Sequence, residues 1–335
     1  MAHEADGASP AVTSFSVVIP TLKRREPLRK ALGSLLACVP PPDEVIVVDG
    51  DPEGSARDTV KALTPASSPP RLVYLLSETG STTQRNRGID ICSGDVIVFF
   101  DDDVVVDADI FDHFASVYQD AELVGATGYE RGPGRRRFGD KSSFLRRLFM
   151  RRSKQGTFTR FGYPRYVVDL DREHDVERQG GSFMSARREA ADLVRFDELL
   201  TGYALAEDED FSYRLARLGR VRYFPLLSIW HEQHGARDLR AVDKKLILNR
   251  TYLFKKNFPQ TALARTQFAL LLASFLVHRV VNREWDGVRG LLDGYRELWR
   301  RRRLLDDPSS FIRGTRAPSP DAESAGESER APSET

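Results

Sequence analysis

Three consecutive carboxylates, Asp101, Asp102 and Asp103, follow the apolar run Val96 to Phe100. The run has the length and composition of a buried strand in a parallel sheet. Open α/β sheets bind ligands beyond the carboxyl ends of their strands. Three adjacent acids there repel one another, and a divalent cation with hard oxygen ligands and bound phosphates would offset that repulsion. The plainer alternative is a solvated acidic turn. A second acidic group, Glu207-Asp208-Glu209-Asp210, opens an expected helix running through Leu218-Gly219. A helix start favours acids, but capping accounts for only one or two of them. Trp230-His231-Glu232-Gln233-His234 supplies two imidazoles three residues apart, a spacing open to metal ligation or to a structural role. In Gln179-Gly180-Gly181-Ser182, two adjacent glycines let backbone approach a ligand closely, or form an ordinary turn.

The elements that must position these groups alternate. Strands are expected at Phe15–Ile19, Glu44–Val48, Leu72–Leu76 and Val96–Phe100. Helices are expected at Arg25–Ala37, Gly54–Leu63 and Ser81–Cys92, the last capped by Ser81 or Thr82. This alternation predicts βαβ units and a parallel sheet. Right-handed crossovers then bring Pro20-Thr21, Asp49 and Asp101–Asp103 to one crevice. A helix over Ala108–Gln119 and strands at Leu123–Thr127 and Val221–Phe224 follow. From Leu239 onward the pattern is helical, with segments Asp243–Lys256, Thr261–Val281 and Glu284–Arg303.

The 335 residues carry 50 Lys and Arg against 49 Asp and Glu, a formal charge of +1 that gives no reason to expect nucleic acid as a partner. Two distant cysteines, Cys38 and Cys92, provide neither a disulfide framework nor zinc spacing and suit a reducing compartment. Residues 1–13 lack an apolar signal core and 306–335 are rich in Ser, Pro, Glu and Ala, so both read as disordered tails. The longest membrane-like stretch, Phe268–Val277, spans about ten residues, whereas a spanning helix needs roughly 20. The segment Arg131–Arg165 holds twelve basic residues against one acid, Asp140. Within it Ser142–Arg152 has the pattern of a short basic amphipathic helix, suited to an anionic membrane or pyrophosphate surface, or else to docking on its own domain.

In this order the pieces resemble the family 2 glycosyltransferases of the GT-A fold, from roughly Ser14 to Lys256. The resemblance rests on Val18-Ile19-Pro20-Thr21, Val47-Val48-Asp49, Gln84-Arg85-Asn86-Arg87-Gly88, the triple acid as a DXD motif, Gly180-Gly181 with Phe183-Met184, Glu207-Asp208 with Asp210 and Arg214, and Trp230-His231. It implies an α/β fold with a Rossmann-like mixed sheet over 14–235 and a helical extension over 236–305. It also implies a nucleotide-sugar donor, Mg2+ or Mn2+, and an inverting transfer.

The resemblance further implies roles. Pro20, Thr21, Asp49 and Asp51 would serve the nucleoside, and Arg85 would sit near base and diphosphate. Asp101 and Asp102 would bind the donor, Asp102 at the ribose. Asp103 and His231 would ligate the metal, Asp208 would be the general base, and Gly180, Gly181 and Glu207 would line the acceptor pocket. Asp210 is expected to orient the helix or pair with Arg214. One departure is Gly50, where family members usually carry a second acid after Asp49. With the basic segment and apolar C-terminal helices, a glycan or lipid-linked cell-envelope acceptor at the cytosolic face of a membrane is expected. Rival readings are a sugar-phosphate nucleotidylyltransferase, disfavoured because Pro20-Thr21-Leu22-Lys23-Arg24 lacks glycine, and an inactive nucleotide-sugar binding protein.

Overall fold

The structure, a computed structural model, describes residues 14–66, 69–133, 155–167, 169–201, 205–232 and 238–302. The helix expected over Ser142–Arg152, both tails and His234 lie outside the described residues.

Strands β1 (Phe15–Thr21), β2 (Glu44–Asp49), β3 (Arg71–Leu76) and β4 (Val96–Phe100) pair in parallel, in the order β3-β2-β1-β4. Between them run α1 (Arg25–Leu36), α2 (Arg57–Leu63) and α3 (Ser81–Ile91). After β4 come β5 (Val104–Val106), α4 (Ile110–Val117), β6 (Leu123–Arg131), β7 (His174–Asp175), β8 (Phe183–Arg187), α5 (Arg188–Val194), α6 (Glu207–Leu215) and β9 (Arg220–His231). Here the sheet becomes mixed: β8 pairs antiparallel with β4 and β6, and β9 runs parallel to β6 but antiparallel to β5. Alternate residues of the inner strands feed two cores. Val17, Ile19, Val45, Val47, Val98 and Phe100 pack with α1 and α4. Val18, Ile46, Val48, Ile97 and Phe99 pack with Ile89 of α3 and Phe211 of α6. Helices α3 and α6 therefore share one face of the sheet, which lets their side chains meet across the end of β4.

Several expectations shift. The strand expected at Val221–Phe224 is the start of a strand that continues to His231. Pro225 cannot donate to a ladder. Pairing accordingly jumps from Gly128↔Phe224 to Tyr129↔Ser228 in a bulge. A Cβ on Gly128 would stand only 1.6 Å from the Leu227 carbonyl oxygen, so the bulge packs where a side chain would be. Beyond it, β9 delivers His231 opposite Val104, one residue after the triple acid. The α3 cap is Gly80, at φ 152°, rather than Ser81 or Thr82. The Gln84 side chain reaches back to accept from the Gly80 N–H at 3.4 Å.

Helices α7 (Leu239–Asn257), α8 (Ala262–Val281) and α9 (Trp285–Arg300) form a third apolar cluster with Phe158 and Phe161. Helix α9 lies against α7 through Gly287, Gly290 and Gly294; a Cβ on Gly290 would come within 2.3 Å of the Arg240 carbonyl oxygen. The apolar stretch expected over ten residues belongs to α8, which is 20 residues long with a mean hydropathy of 1.2 over its best window. By length and composition α8 could cross a membrane, and only 22% of that window is buried.

Candidate active site

The strand ends meet as the topology requires. Thr21 stands opposite Asp49 in register, and its hydroxyl donates to Asp102 Oδ2 at 2.7 Å. Arg24, just after β1, forks across two acids: Nη1 lies 2.6 Å from Asp102 Oδ1 and Nη2 lies 2.6 Å from Asp103 Oδ2. Burial pushes the Asp102 carboxyl up to about 7 despite Arg24 and Thr21. Asp103 goes the other way. Burial opposes its charge, but bonds from His231 and Arg24 hold its carboxyl below the usual range.

His231 is held from both sides, with Nε2 3.0 Å from Asp103 Oδ1 and Nδ1 2.7 Å from Glu130 Oε1. Burial disfavours its charge, yet the two carboxylates push its pKa up to about 10. One ligand atom each from Asp101, Asp103 and His231 falls within 4.8 Å of the others. Two carboxylates and an imidazole suit a divalent cation such as Mn2+ or Mg2+. Glu130, behind the imidazole, would fix the tautomer that leaves Nε2 free for a metal. These residues fit the group. Asp101, expected at the donor, thus joins Asp103 and His231.

Arg85, expected near base and diphosphate, is buried inside the protein. Nη2 donates to Asp101 Oδ1 at 2.9 Å and to the Gly181 carbonyl at 3.0 Å, and Nη1 donates to Glu207 Oε1 at 2.9 Å. With only 2% of its side chain exposed it ties the triple acid to α6 and to the glycine pair, a placement that favours a positioning tie over a donor contact. Its neighbours work similarly. Gln84 Nε2 donates to the carbonyls of Thr21 (2.9 Å) and Val48 (2.7 Å), and Asn86 Nδ2 donates to the Phe196 carbonyl at 2.9 Å. A Cβ on Gly88 would clash with Val18 at 2.3 Å, so glycine lets α3 lie directly on β1.

Asp49 is spent on its own loop, accepting from Asp51 N (3.0 Å), Ala56 N (2.8 Å) and the Tyr74 hydroxyl (3.2 Å). Asp51 is buried beside it, 3.7 Å from Lys23 Nζ. A Cβ on Gly50 would stand 3.0 Å from the Gln84 amide, so a side chain there would press on the group that bonds the Thr21 and Val48 carbonyls.

Each of the four acids of α6 has a different nearest cation. Glu207 pairs with Arg85, Asp208 accepts from Arg178 Nη2 at 3.2 Å, Glu209 is gripped by Arg250, and Asp210 pairs with Arg214 (2.6 Å) and Lys256 (2.9 Å). The pairing of Asp210 with Arg214 is as expected. A Cβ on Gly181 would sit 3.4 Å from Asp208 Cβ, and one on Gly180 would sit 3.7 Å from Glu130 Oε2. The glycine pair therefore passes between the histidine's carboxylate and Asp208. Burial raises the pKa of Asp208 and of Glu207, more than Arg178 and Arg85 lower it.

The description of glycosyl transferase family 2 matches residues 16–190. The chain belongs to this family. The match covers the triple acid and the glycine pair and ends before Asp208 and His231. No curated protein matches the chain. Among solved structures, this family 2 glycosyltransferase is similar to S. aureus TarS 1-349, with TM-score 0.52 and 15% identity over 92% of this chain and 93% of that one. It is also similar to the mannosyltransferase PcManGT from Pyrobaculum calidifontis in complex with GDP-Man and Mn2+, with TM-score 0.52 and 16% identity over 84% and 86%. A third likeness is to GalNAc-T7 with UDP, GalNAc and Mn2+, with TM-score 0.53 and 13% identity over 74% and 51%. The chain spans 43% of a longer TarS structure that it also matches. At these identities the likeness shows the GT-A fold.

Sequence reading missed Arg24, Glu130, Arg178 and Arg250. Arg178 stands next to the glycine motif and was within reach of inspection. Glu130 lies past the expected end of its strand, and Arg250 lies in a helix far along the chain.

Proposed function

We propose that this glycosyltransferase moves a sugar, with inversion, from a nucleotide-sugar donor to a hydroxyl of a glycan or lipid-linked cell-envelope acceptor. We place it at the cytosolic face of a membrane. The observation that carries the reading is the link from the candidate metal ligands to a buried base: Asp101 to Arg85, Arg85 to Gly181, and Gly181 against Asp208.

Asp101, Asp103 and His231 would hold Mg2+ or Mn2+. Bound there, the cation would stabilise negative charge growing on the departing nucleoside diphosphate. Thr21, Asp102 and the loop held by Asp49 and Asp51 flank the place for the nucleoside and ribose. Pro20 ends the same strand crevice. Asp208 accepts the proton of the acceptor hydroxyl, a poor nucleophile until deprotonated. Its carboxyl, raised by burial, is a stronger base than a solvated aspartate. Arg178 keeps it oriented. Gly180 and Gly181 supply backbone without side chains where the acceptor sugar approaches, and Glu207, locked by Arg85, borders that space. An inverting displacement needs no covalent carboxylate partner for Asp208. The complexes of PcManGT with GDP-Man and Mn2+ and of GalNAc-T7 with UDP and Mn2+ support a nucleotide-sugar donor and a metal by analogy of fold.

The test is a screen of nucleotide sugars for metal-dependent thermal stabilisation and turnover. Asp103→Ala is expected to lose metal-dependent donor binding by calorimetry. Asp208→Asn is expected to keep donor binding and lose transfer. Unchanged donor affinity in the first variant, or normal turnover in the second, removes the corresponding role.

A further inference from the structure

We propose that the outer faces of α8 and α9 are a docking surface for an anionic lipid bilayer, with both helices lying along it. Helix α8 is apolar on both sides. Ala264, Phe268, Leu271 and Leu272 are buried, and the Phe268 ring stacks on Phe254 at 4.3 Å. On the opposite side Leu263, Leu270 and Val277 are 53%, 57% and 52% exposed, spaced seven residues apart along one ridge. A helix packed on a soluble domain normally turns a polar face to water. Helix α9 adds a second apolar ridge among charged neighbours: Trp285, Leu292 and Trp299, again seven apart, are 58%, 38% and 66% exposed, beside the exposed Asp286, Arg289, Arg296 and Arg300. Exposed tryptophans beside arginine belong where an apolar layer meets charged headgroups. The Arg302 guanidinium lies 4.3 Å over the Trp299 ring.

Charge selects the occupant. Helix α8 has no carboxylate, and residues 262–302 carry eight arginines against four carboxylates. The acids pair with arginines (Glu284 with Arg279, Asp286 with Arg289, Asp293 with Arg240 and Arg296, Glu297 with Arg300 and Arg301), so what the surface offers is the excess of four arginines over carboxylates. A second copy would set this basic surface against itself, whereas anionic headgroups neutralise it. Because one face of α8 is committed to the protein core, the helix lies in the interface rather than crossing it.

The inference deepens the membrane reading above, and its readout needs no sugar transfer, so the two can fail separately. The full chain is floated with vesicles of phosphatidylcholine alone or mixed with phosphatidylglycerol. Binding is expected on the mixed vesicles only and should weaken with salt. Leu270→Glu/Val277→Glu and, separately, Trp285→Ser/Trp299→Ser should each lower partitioning by on the order of tenfold. Because these side chains are exposed, unfolding and donor binding should match the parent. Parent-like vesicle binding in both variants overturns the proposal. So does a parent dimer that the variants convert to monomer in ultracentrifugation, which would make a second copy the occupant. Binding that survives both variants but is lost on deleting residues 134–154 would assign the membrane to the basic segment instead.

Discussion

Replacing Arg250 by Met should destabilise the fold and weaken the base at once. Arg250 Nη2 donates to Glu209 Oε1 at 2.8 Å, and Nη1 donates to Oε2. Their side chains are 10% and 6% exposed. Removing one partner of such a pair leaves a buried unpaired charge and costs about 3–5 kcal/mol. That is a large part of a typical folding free energy of about 5–15 kcal/mol, so the urea midpoint should fall clearly while the chain stays folded without denaturant. The second effect follows from Arg178. Its Nη2 lies 3.2 Å from Asp208 and its Nε 4.0 Å from Glu209 Oε1. With Arg250 gone, Arg178 is the cation left nearest to Glu209, and turning towards it takes Arg178 off Asp208. The turnover number should then fall more than donor affinity does. The double variant Glu209→Met/Arg250→Met removes both charges and should regain most of the lost stability. The assay is urea unfolding followed by circular dichroism, with donor binding by calorimetry. A loss below about 1 kcal/mol in the single variant, or a double variant no more stable than the single, refutes the reasoning.

Glu130→Gln should lower Mn2+ affinity by about 10–100-fold, measured by direct metal titration, because the carboxylate behind His231 orients the ring and raises its basicity. Asp208 should appear as an acidic limb in kcat/KM, activity rising with pH as the base ionises, with a midpoint above the 3.8 of an ordinary aspartate. The same raised pKa means that its protonated form favours folding, a contribution lost as pH rises through the folded value. A limb at or below 3.8 would contradict the burial argument. Gly50→Asp should displace Gln84 from the Thr21 and Val48 carbonyls and cost about 1–3 kcal/mol, read by thermal unfolding; an unchanged melt would show that the amide yields freely.

The parallel half of the sheet was legible because β1, β2 and β4 are buried on both faces and read as continuous apolar runs ending in polar groups. The triple acid was legible for the same reason, since the apolar run stops abruptly at Asp101. The continuity of β9 was not legible, because Pro225 breaks the local strand pattern and only pairing with Gly128 and Tyr129 across the bulge restores it. Nor was the role of Arg85. Its motif shows an arginine on a helix, but whether that arginine faces a ligand or three protein acceptors depends on α6 and the glycine pair, over ninety residues away. Glu130 and Arg250 had no periodic signal, as their contacts with His231 and Glu209 are set by tertiary packing.

The proposal of Asp208 as the base rests on helix geometry and charge pairing together. Successive residues on a helix point about 100° apart, so four adjacent acids cannot share one counter-charge. Each has a different nearest cation, although Arg178 beside Asp208 also lies 4.0 Å from Glu209. Glu209 turns inwards to Arg250 on α7, and Asp210, with none of its side chain exposed, is enclosed by Arg214, Lys256 and Asn257. Both are committed to holding α7 against α6. Glu207 turns to Arg85, which is itself locked to Asp101. Asp208 alone faces Gly181, and its cation, Arg178, precedes that glycine by three residues on the same loop. Three of the acids therefore fix the helix, and the fourth is held by the loop that carries the glycine pair. A one-residue change of register would put a core-bound acid at the glycines and bury Asp208 without a partner.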